Sequence, residues 1–522
     1  MSLTFYLDKG ASLDPGAPCL TLDGKSLSYG EVADLSHAVA RSLRHSGVQP
    51  GDKVGILSAN DPTAFSCVFG IARAGAVWCP INPRNAATEN AELLDLFDCS
   101  TLIFQPSFDK LVAAIAPTLP KLTTLIRLGD ETENAQAFRT WLDAAGDDMP
   151  AEAAPPDELV ALVGTGGTTG RPKGVMLTDR NLEAMSAITL MSYPFDGRPV
   201  YLAQTPLTHA AGVLCFPVLA RGGEVVIMAK PDAGRFLELI ERHRVTHTFL
   251  PPTLIYTVLG HEALDRTDLS SLQCFWYGAA PMSAARLAEA LDRIGPMAQL
   301  FGQSEAPMMI STMPPAAHRR PDGTINTARL SSAGRPSPLV TVAILDPGGQ
   351  PAPRGDRGEI CVRGSLVMAG YYKNLAATAE ASAHGWHHTG DIGYLDDDGY
   401  LYIVDRAKDM VITGGFNVYS AEVEQALMAH QAVRDCAVIG LPDDKWGERV
   451  TAVIQLQSGA EIDTDELTAF VKQRIGSVKA PKQIEIWTDL PRSAVGKVLK
   501  TEIRSVLAPR PVNKKVRRWM SS

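Results

Sequence analysis

Thr165-Gly166-Gly167-Thr168-Thr169-Gly170-Arg171-Pro172-Lys173-Gly174 packs glycines, hydroxyls and one lysine into a single short segment. That combination suits phosphate. Glycines let backbone N–H groups converge on an anion without a Cβ in the way, and the threonines and Lys173 add hydroxyl donors and a mobile positive charge. Two familiar patterns fail. The nucleotide loop GxxxxGK needs lysine directly after glycine, whereas Arg171 and Pro172 separate Gly170 from Lys173. The dinucleotide pattern GxGxxG fails because Thr169 stands where the third glycine belongs. A surface turn rich in small residues is the plain alternative.

A second string, Phe301-Gly302-Gln303-Ser304-Glu305, offers an aromatic face for a base, a hydroxyl for a phosphate oxygen and a carboxylate for Mg²⁺. Alone it carries little weight, because a solitary phenylalanine is usually core. No Ser-His-Asp triad is evident.

A chain of 522 residues is too long for one core and implies two to four domains. Its 45% hydrophobic and 20% charged residues suit a soluble globular enzyme. The net charge of −9 argues against nucleic acid as a partner. Eight scattered cysteines with no CxxC pair read as reduced, mostly buried thiols of a cytoplasmic protein. No signal peptide is evident, and Ala64 to Pro80, the most apolar stretch, reads as a buried helix and strand rather than a membrane span. Peripheral membrane association and a homodimer stay open.

The elements that must position these residues alternate. Ser28 and Glu31 form a capping box for a helix carrying Val32, Leu35, Val39 and Leu43 and ending at Gly47. Strands follow at 53–57, 77–81, 101–104, 225–228 and 246–250, with a helix at 61–73, the pattern of layered α/β domains. Leu159 to Val163 reads as a buried parallel strand feeding the glycine loop. After about residue 330 paired strands take over, including 340–345 and 359–363 around the turn Asp346-Pro347-Gly348-Gly349. Beyond Asp405, a helix capped by Ser420 with Glu422 and Glu424 in its first turn, then strands at 433–441 and 450–456, make a small α+β domain.

In this order the glycine loop resembles the signature of the adenylate-forming superfamily of acyl-CoA synthetases, luciferases and adenylation domains, and the resemblance covers almost the whole chain. It implies a large N-terminal α/β domain (1–406, with a β subdomain at about 330–405) and a small mobile C-terminal domain (407–522) hinged near Lys408. Phe301 to Glu305 is similar to the family's aromatic-Gly-x-Thr-Glu motif, with Ser304 keeping the hydroxyl. Tyr277-Gly278-Ala279-Ala280-Pro281 resembles the Gly-Ala-Pro segment between adenine and the acyl group, and His388-Thr389-Gly390-Asp391 the motif whose Asp holds the ribose. Asp405 to Asp409 resembles the hinge string, placing Arg406 on the ribose. Gly414, Gly415 and Phe416 match the strand that lines the CoA tunnel, and Pro491 to Lys497 the catalytic-lysine motif.

The resemblance implies attack of a carboxylate on ATP, assisted by Mg²⁺ on Glu305, then transfer of the acyl group to CoA. Lys497, His209 and Glu305 become the catalytic residues. Thr165, Gly166, Gly167, Thr168, Thr169, Gly170, Lys173, Gly278, Ala279, Ala280, Gln299, Phe301, Gly302, Ser304, Asp391 and Arg406 become the nucleotide site. His209, Ala210, Val213, Tyr277, Gly278, Leu300, Gln303, Ala306 and Met308 form the expected acyl pocket. Ala210, where amino-acid-activating relatives have Asp, disfavours an amino acid, and Leu300, where many have Gly, shortens or bends the pocket. A medium- or long-chain fatty acid is the expected substrate. An aryl or polycyclic acid, a non-CoA acceptor and a non-catalytic nucleotide-binding protein are the alternatives.

Overall fold

The computed structural model describes residues 3–146, 159–165, 172–207, 210–443, 445–492 and 498–508. Two compact units divide the chain, Met1–Ile403 and Val404–Ser522.

Local chemistry sets the first elements of the large unit. The helix Tyr29–His45 begins at a complete capping box: Ser28 Oγ accepts from Glu31 N at 3.2 Å, and Glu31 Oε2 accepts from Ser28 N at 2.7 Å. Gly47 follows at φ 88°, a left-handed exit that a residue with Cβ resists. Asp61 caps Pro62–Arg73, whose residues from Ala64 onward are all buried, and the strand Val77–Ile81 is buried throughout.

Lys53–Leu57, Val77–Ile81, Cys99–Phe104 and Thr124–Arg127 form the parallel centre of an eight-stranded sheet among the described residues. Leu159–Thr165 joins it parallel to Val77–Ile81 but pairs antiparallel with Lys173–Thr178 on its other side. The strand that feeds the glycine segment is therefore parallel on one flank only. A nine-stranded sheet places Glu224–Ile227, Val200–Ala203, His247–Leu250, Cys274–Tyr277 and Met297–Gln303 in parallel order, with Ala306–Met313 antiparallel at the end of that run. The main core joins both sheets, with Val54, Trp78 and Ala161 from one and Tyr201, Trp276 and Leu300 from the other. Strands of this kind, covered on both faces, read as continuous apolar runs.

The hairpin-rich segment forms a four-stranded sheet in the order Val340–Leu345, Gly358–Gly364, His387–Leu395, Leu401–Arg406. In the small unit, Val433–Asp443 and Gly447–Leu456 form a long hairpin, and both Val411–Thr413 and Gln483–Ile486 pair with its second strand. The helix Ser420–Met428 corrects one expectation. Ser420 is its first residue and makes no cap; its hydroxyl is drawn instead to Asp405 Oδ1 at 2.9 Å. No helix among the described residues is long and apolar enough to cross a membrane, and all eight cysteines are buried and none forms a disulfide.

Candidate active site

The ends of the glycine segment meet as a strand pair, Gly164 opposite Gly174 and Thr165 opposite Lys173. Two strands flank this segment, and the next helix begins only at Asp179. Gly166, Gly167, Thr168, Thr169 and Gly170 lie outside the described residues. Lys173 Nζ stands over the Tyr371 ring, 4.8 Å from its centroid, and the Tyr371 hydroxyl donates to Glu305 Oε1 at 2.8 Å. Cation, π face and carboxylate thus form one chain. Burial and then the Glu305 charge push the Tyr371 hydroxyl well above its ordinary pKa, so it stays a donor.

Glu305 owes its position to a tight hairpin. Gln303 pairs with Ala306, which leaves Ser304 and Glu305 as the two residues of the turn, after a bulge that includes Gly302. The residues from Phe301 to Glu305 are all half-buried, as is Gln299. On the neighbouring strand end, a Cβ at Gly278 would stand 2.4 Å from the Leu300 carbonyl oxygen. Only glycine permits that approach. Ala279 follows at φ 65° and is exposed, and Ala280 is half-buried.

Asp391 sits in a bulge, since Cys361 pairs with His388 but Glu359 pairs with Ile392. Thr389 Oγ1 donates to the Ile360 carbonyl at 2.7 Å, and Gly390 N donates to Glu359 Oε1 at 2.9 Å. Asp391 N in turn donates to Thr389 Oγ1 at 3.1 Å. Gln303 Nε2 reaches the Thr389 carbonyl at 3.3 Å, while Gln303 Oε1 lies 3.3 Å from His387 Nε2. These bonds bring the Glu305 hairpin and the Asp391 bulge together with Lys173.

Of the expected acyl-pocket residues, Leu300 and Ala306 are buried in the main core, with Val213 and Met308 packed against it. The Tyr277 ring lies in a second core, where its hydroxyl meets His318 Nε2 at 2.9 Å. Trp276, its neighbour in sequence, faces the same core as Leu300. His209 and the side chain of Ala210 lie outside the described residues.

In the small unit, Arg406 and the exposed Lys408 belong to a turn in which Asp409 N and Met410 N both donate to the Arg406 carbonyl, at 3.0 and 3.2 Å. Gly414 and Gly415, at φ 56° and 81°, join Val411–Thr413 to Phe416–Val418; two successive left-handed residues are what a tight I′ hairpin turn needs. Phe416 is exposed. Lys497 lies outside the described residues; of those on either side of it, Leu499 N donates to the Pro491 carbonyl at 2.8 Å and Arg492 bridges Val498.

Sequence reasoning missed Tyr371 and Lys500. Lys500 opens the helix Lys500–Leu507 and donates to Glu424 Oε1 at 2.7 Å and to Ser420 Oγ, which itself donates to Asp405. Burial opposes its charge, yet the Glu424 and Asp405 carboxylates outweigh burial and lift its pKa. Its signal was the amphipathic pattern of 500–507, in which a lysine falls on the inward side. Tyr371 had no local signal beyond an aromatic pair, Tyr371-Tyr372.

The geometry meets its relatives here. The model of the AMP-binding enzymes matches residues 7–372, and that of the AMP-binding enzyme C-terminal domain matches 422–497. The chain belongs to this family, the adenylate-forming acyl-CoA synthetases. It is 38% identical over 503 residues to a medium/long-chain-fatty-acid–CoA ligase of Mycobacterium tuberculosis, covering 94% of this chain and 87% of the other. A feruloyl-CoA synthase of Amycolatopsis is 37% identical over 496 residues, 95% and 96% of the two chains. The solved amide bond synthetase of Marinactinospora thermotolerans shares the fold with a TM-score of 0.88 at 31% identity, over 97% of this chain and 100% of that one.

Proposed function

We propose that this protein, as an AMP-forming acid–CoA ligase, activates a medium- or long-chain fatty acid. The observation that carries the activity is the chain Lys173–Tyr371–Glu305, set beside the Asp391 bulge and fed by the glycine-threonine segment. The fatty-acid reading is supported by the 38% identity to a fatty-acid ligase and by the apolar character of Val213, Leu300, Ala306 and Met308, which gather in or against one core.

Attack of a carboxylate on ATP joins two anions, so catalysis is alignment and charge neutralisation. Lys173, Thr165 and the glycine-threonine residues between them hold the pyrophosphate end, and the Ser304 hydroxyl bonds a phosphate oxygen. The Glu305 carboxylate, with one oxygen steadied by Tyr371, suits a hard cation. Mg²⁺ bound there supplies charge neutralisation on the leaving phosphates. Phe301, Gly278, Ala279, Ala280, Gln299 and Gly302 receive the adenine, while Asp391 and Arg406 bind the ribose. His209 stands beside the substrate carboxylate.

Lys497 bridges that carboxylate and the α-phosphate as the new O–P bond forms and the bond to pyrophosphate breaks. The small domain then turns about Lys408, and Gly414, Gly415 and Phe416 line the path for CoA. Its sulfur attacks the acyl carbon, the thiol proton passes to solvent and AMP departs. Eight buried cysteines with no disulfide among them are in keeping with a cytoplasmic setting.

A panel of acids from octanoate to palmitate, with benzoate and ferulate, tests the substrate by AMP release and thioester formation with and without CoA. The fatty acids give the highest kcat/KM; ferulate exceeding all of them by about tenfold sinks the fatty-acid reading. The feruloyl-CoA synthase relative favours that second reading. AMP release with no thioester, and an amide once an amine is added, would reassign the acceptor.

A further inference from the structure

One cluster outside the proposed nucleotide contacts combines three kinds of metal ligand. Glu359 and Cys361 alternate along the strand Gly358–Gly364 and so share a face. His388 is the cross-strand partner of Cys361. Its Nδ1 lies 2.7 Å from Glu359 Oε2 and 3.5 Å from Cys361 Sγ, and the three ligand atoms fall within 4.8 Å of one another. Donors placed tetrahedrally at about 2.0–2.3 Å from Zn²⁺ stand roughly 3.3–3.8 Å apart, so small side-chain rotations suffice.

The ring is already oriented for the task. His388 Nε2 lies 3.1 Å from the Ala383 carbonyl oxygen, which only accepts, so that nitrogen carries a proton and Nδ1 is turned to the thiol and carboxylate. A backbone carbonyl on the far nitrogen is the usual outer support of a zinc-bound histidine. Cys361 is fully buried, while the Glu359 and His388 side chains keep 28% and 18% of their surface exposed, which leaves a way in. His384, exposed on the adjoining turn with its ring centroid 5.7 Å from that of His388, can complete the set. One thiolate, one or two imidazoles and one carboxylate form a borderline-soft site that favours Zn²⁺ over Mg²⁺.

We propose that Glu359, Cys361 and His388 bind one Zn²⁺, with His384 as the fourth ligand. The thiol proton and the proton between Nδ1 and Glu359 leave for solvent on binding. The ion clamps the bulge from beneath, because the Glu359 carboxylate that it holds also accepts from Gly390 N at 2.9 Å, next to Asp391. An effect on nucleotide affinity through Asp391 rests on the function proposed above; binding of the ion does not.

The full-length protein, stripped with chelator, is titrated with Co²⁺ as the spectroscopic probe. One equivalent produces a thiolate-to-metal charge-transfer band with tetrahedral d–d bands. Cys361→Ser abolishes the charge-transfer band, and His388→Gln weakens affinity by more than about tenfold. A band and stoichiometry unchanged in Cys361→Ser overturn the proposal, since another cysteine is then responsible. X-ray absorption at the zinc edge of the unaltered protein needs no variant to fold: one sulfur with nitrogen and oxygen neighbours is expected, and a shell with no sulfur or several refutes the site.

Discussion

Two buried histidines of the large unit and one lysine of the small unit are held in opposite charge states. In the large unit, His247 and His318 have no exposed surface and are kept neutral: burial pushes each from 6.5 down to about 4. A neutral imidazole has one donor and one acceptor, and His318 uses both, on the Pro314 carbonyl at 3.2 Å and the Tyr277 hydroxyl at 2.9 Å. In the small unit, Lys500 keeps 17% of its side-chain surface exposed and is held charged, its pKa lifted by Glu424 and Asp405 against the opposing effect of burial. Burial alone therefore does not set the charge state; the partners do. The neutral pair packs against Trp276 and Tyr277 of the nine-stranded sheet, and the charged network ties the first residue of the helix Lys500–Leu507 to Glu424 and, through Ser420, to Asp405.

The largest effect is expected at the proposed catalytic lysine, which lies just before that network in the chain. Lys497→Ala should lower adenylate formation by roughly a thousandfold while ATP affinity changes little. Pyrophosphate release and equilibrium ATP binding measure the two, and unchanged turnover would remove Lys497 from its proposed role. Next comes acid. Because the folded-state pKa values of His247 and His318 lie below the ordinary value, the unfolded chain binds protons that the native one refuses. Stability is then full above about pH 6.5 and falls toward about pH 4, by up to about 3 kcal/mol per histidine. Urea midpoints across that range check it, and a flat profile would contradict the neutral assignment.

Lys500 predicts the opposite window. Its raised pKa gives stability that is complete below the ordinary value of 10.5 and is lost as pH climbs through the raised one. Lys500→Met, which strands Glu424 and Asp405, should cost about 2 kcal/mol, discounted for the part of the side chain that water reaches. Adding Glu424→Gln should recover part of the loss; no recovery would mean that packing, not charge, dominates. The smallest effect belongs to Tyr371→Phe, which keeps the ring under Lys173 and removes the bond to Glu305. A loss of about 1 kcal/mol, roughly fivefold in kcat/KM for MgATP, is expected.

Much of this was legible in the chain. The Ser28 capping box, the strands 53–57 and 77–81 and the hairpin beginning at Val340 depend on neighbours a few residues apart, and the structure has them where local rules put them. The family motifs assigned both the Phe301–Glu305 string and the His388–Asp391 string to one nucleotide site, and the structure links them through Gln303 and the Thr389 carbonyl. Ser420 misled because a serine ahead of acidic residues reads as a cap, whereas buried Asp405, fifteen residues earlier, outcompetes the helix end for its hydroxyl.

The sequence by itself determined most of the elements and, through the resemblance of its motifs, the family. The elements follow from spacing, capping and residue type, all local quantities. Only the tertiary structure decided that Tyr371 stands between Lys173 and Glu305, because Tyr371 reaches them through a strand that pairs antiparallel with Lys173–Thr178, opposite Val175. It also decided that His388 faces Cys361 across the sheet. Strand register between distant segments depends on how whole sheets pack, and no local periodicity encodes it.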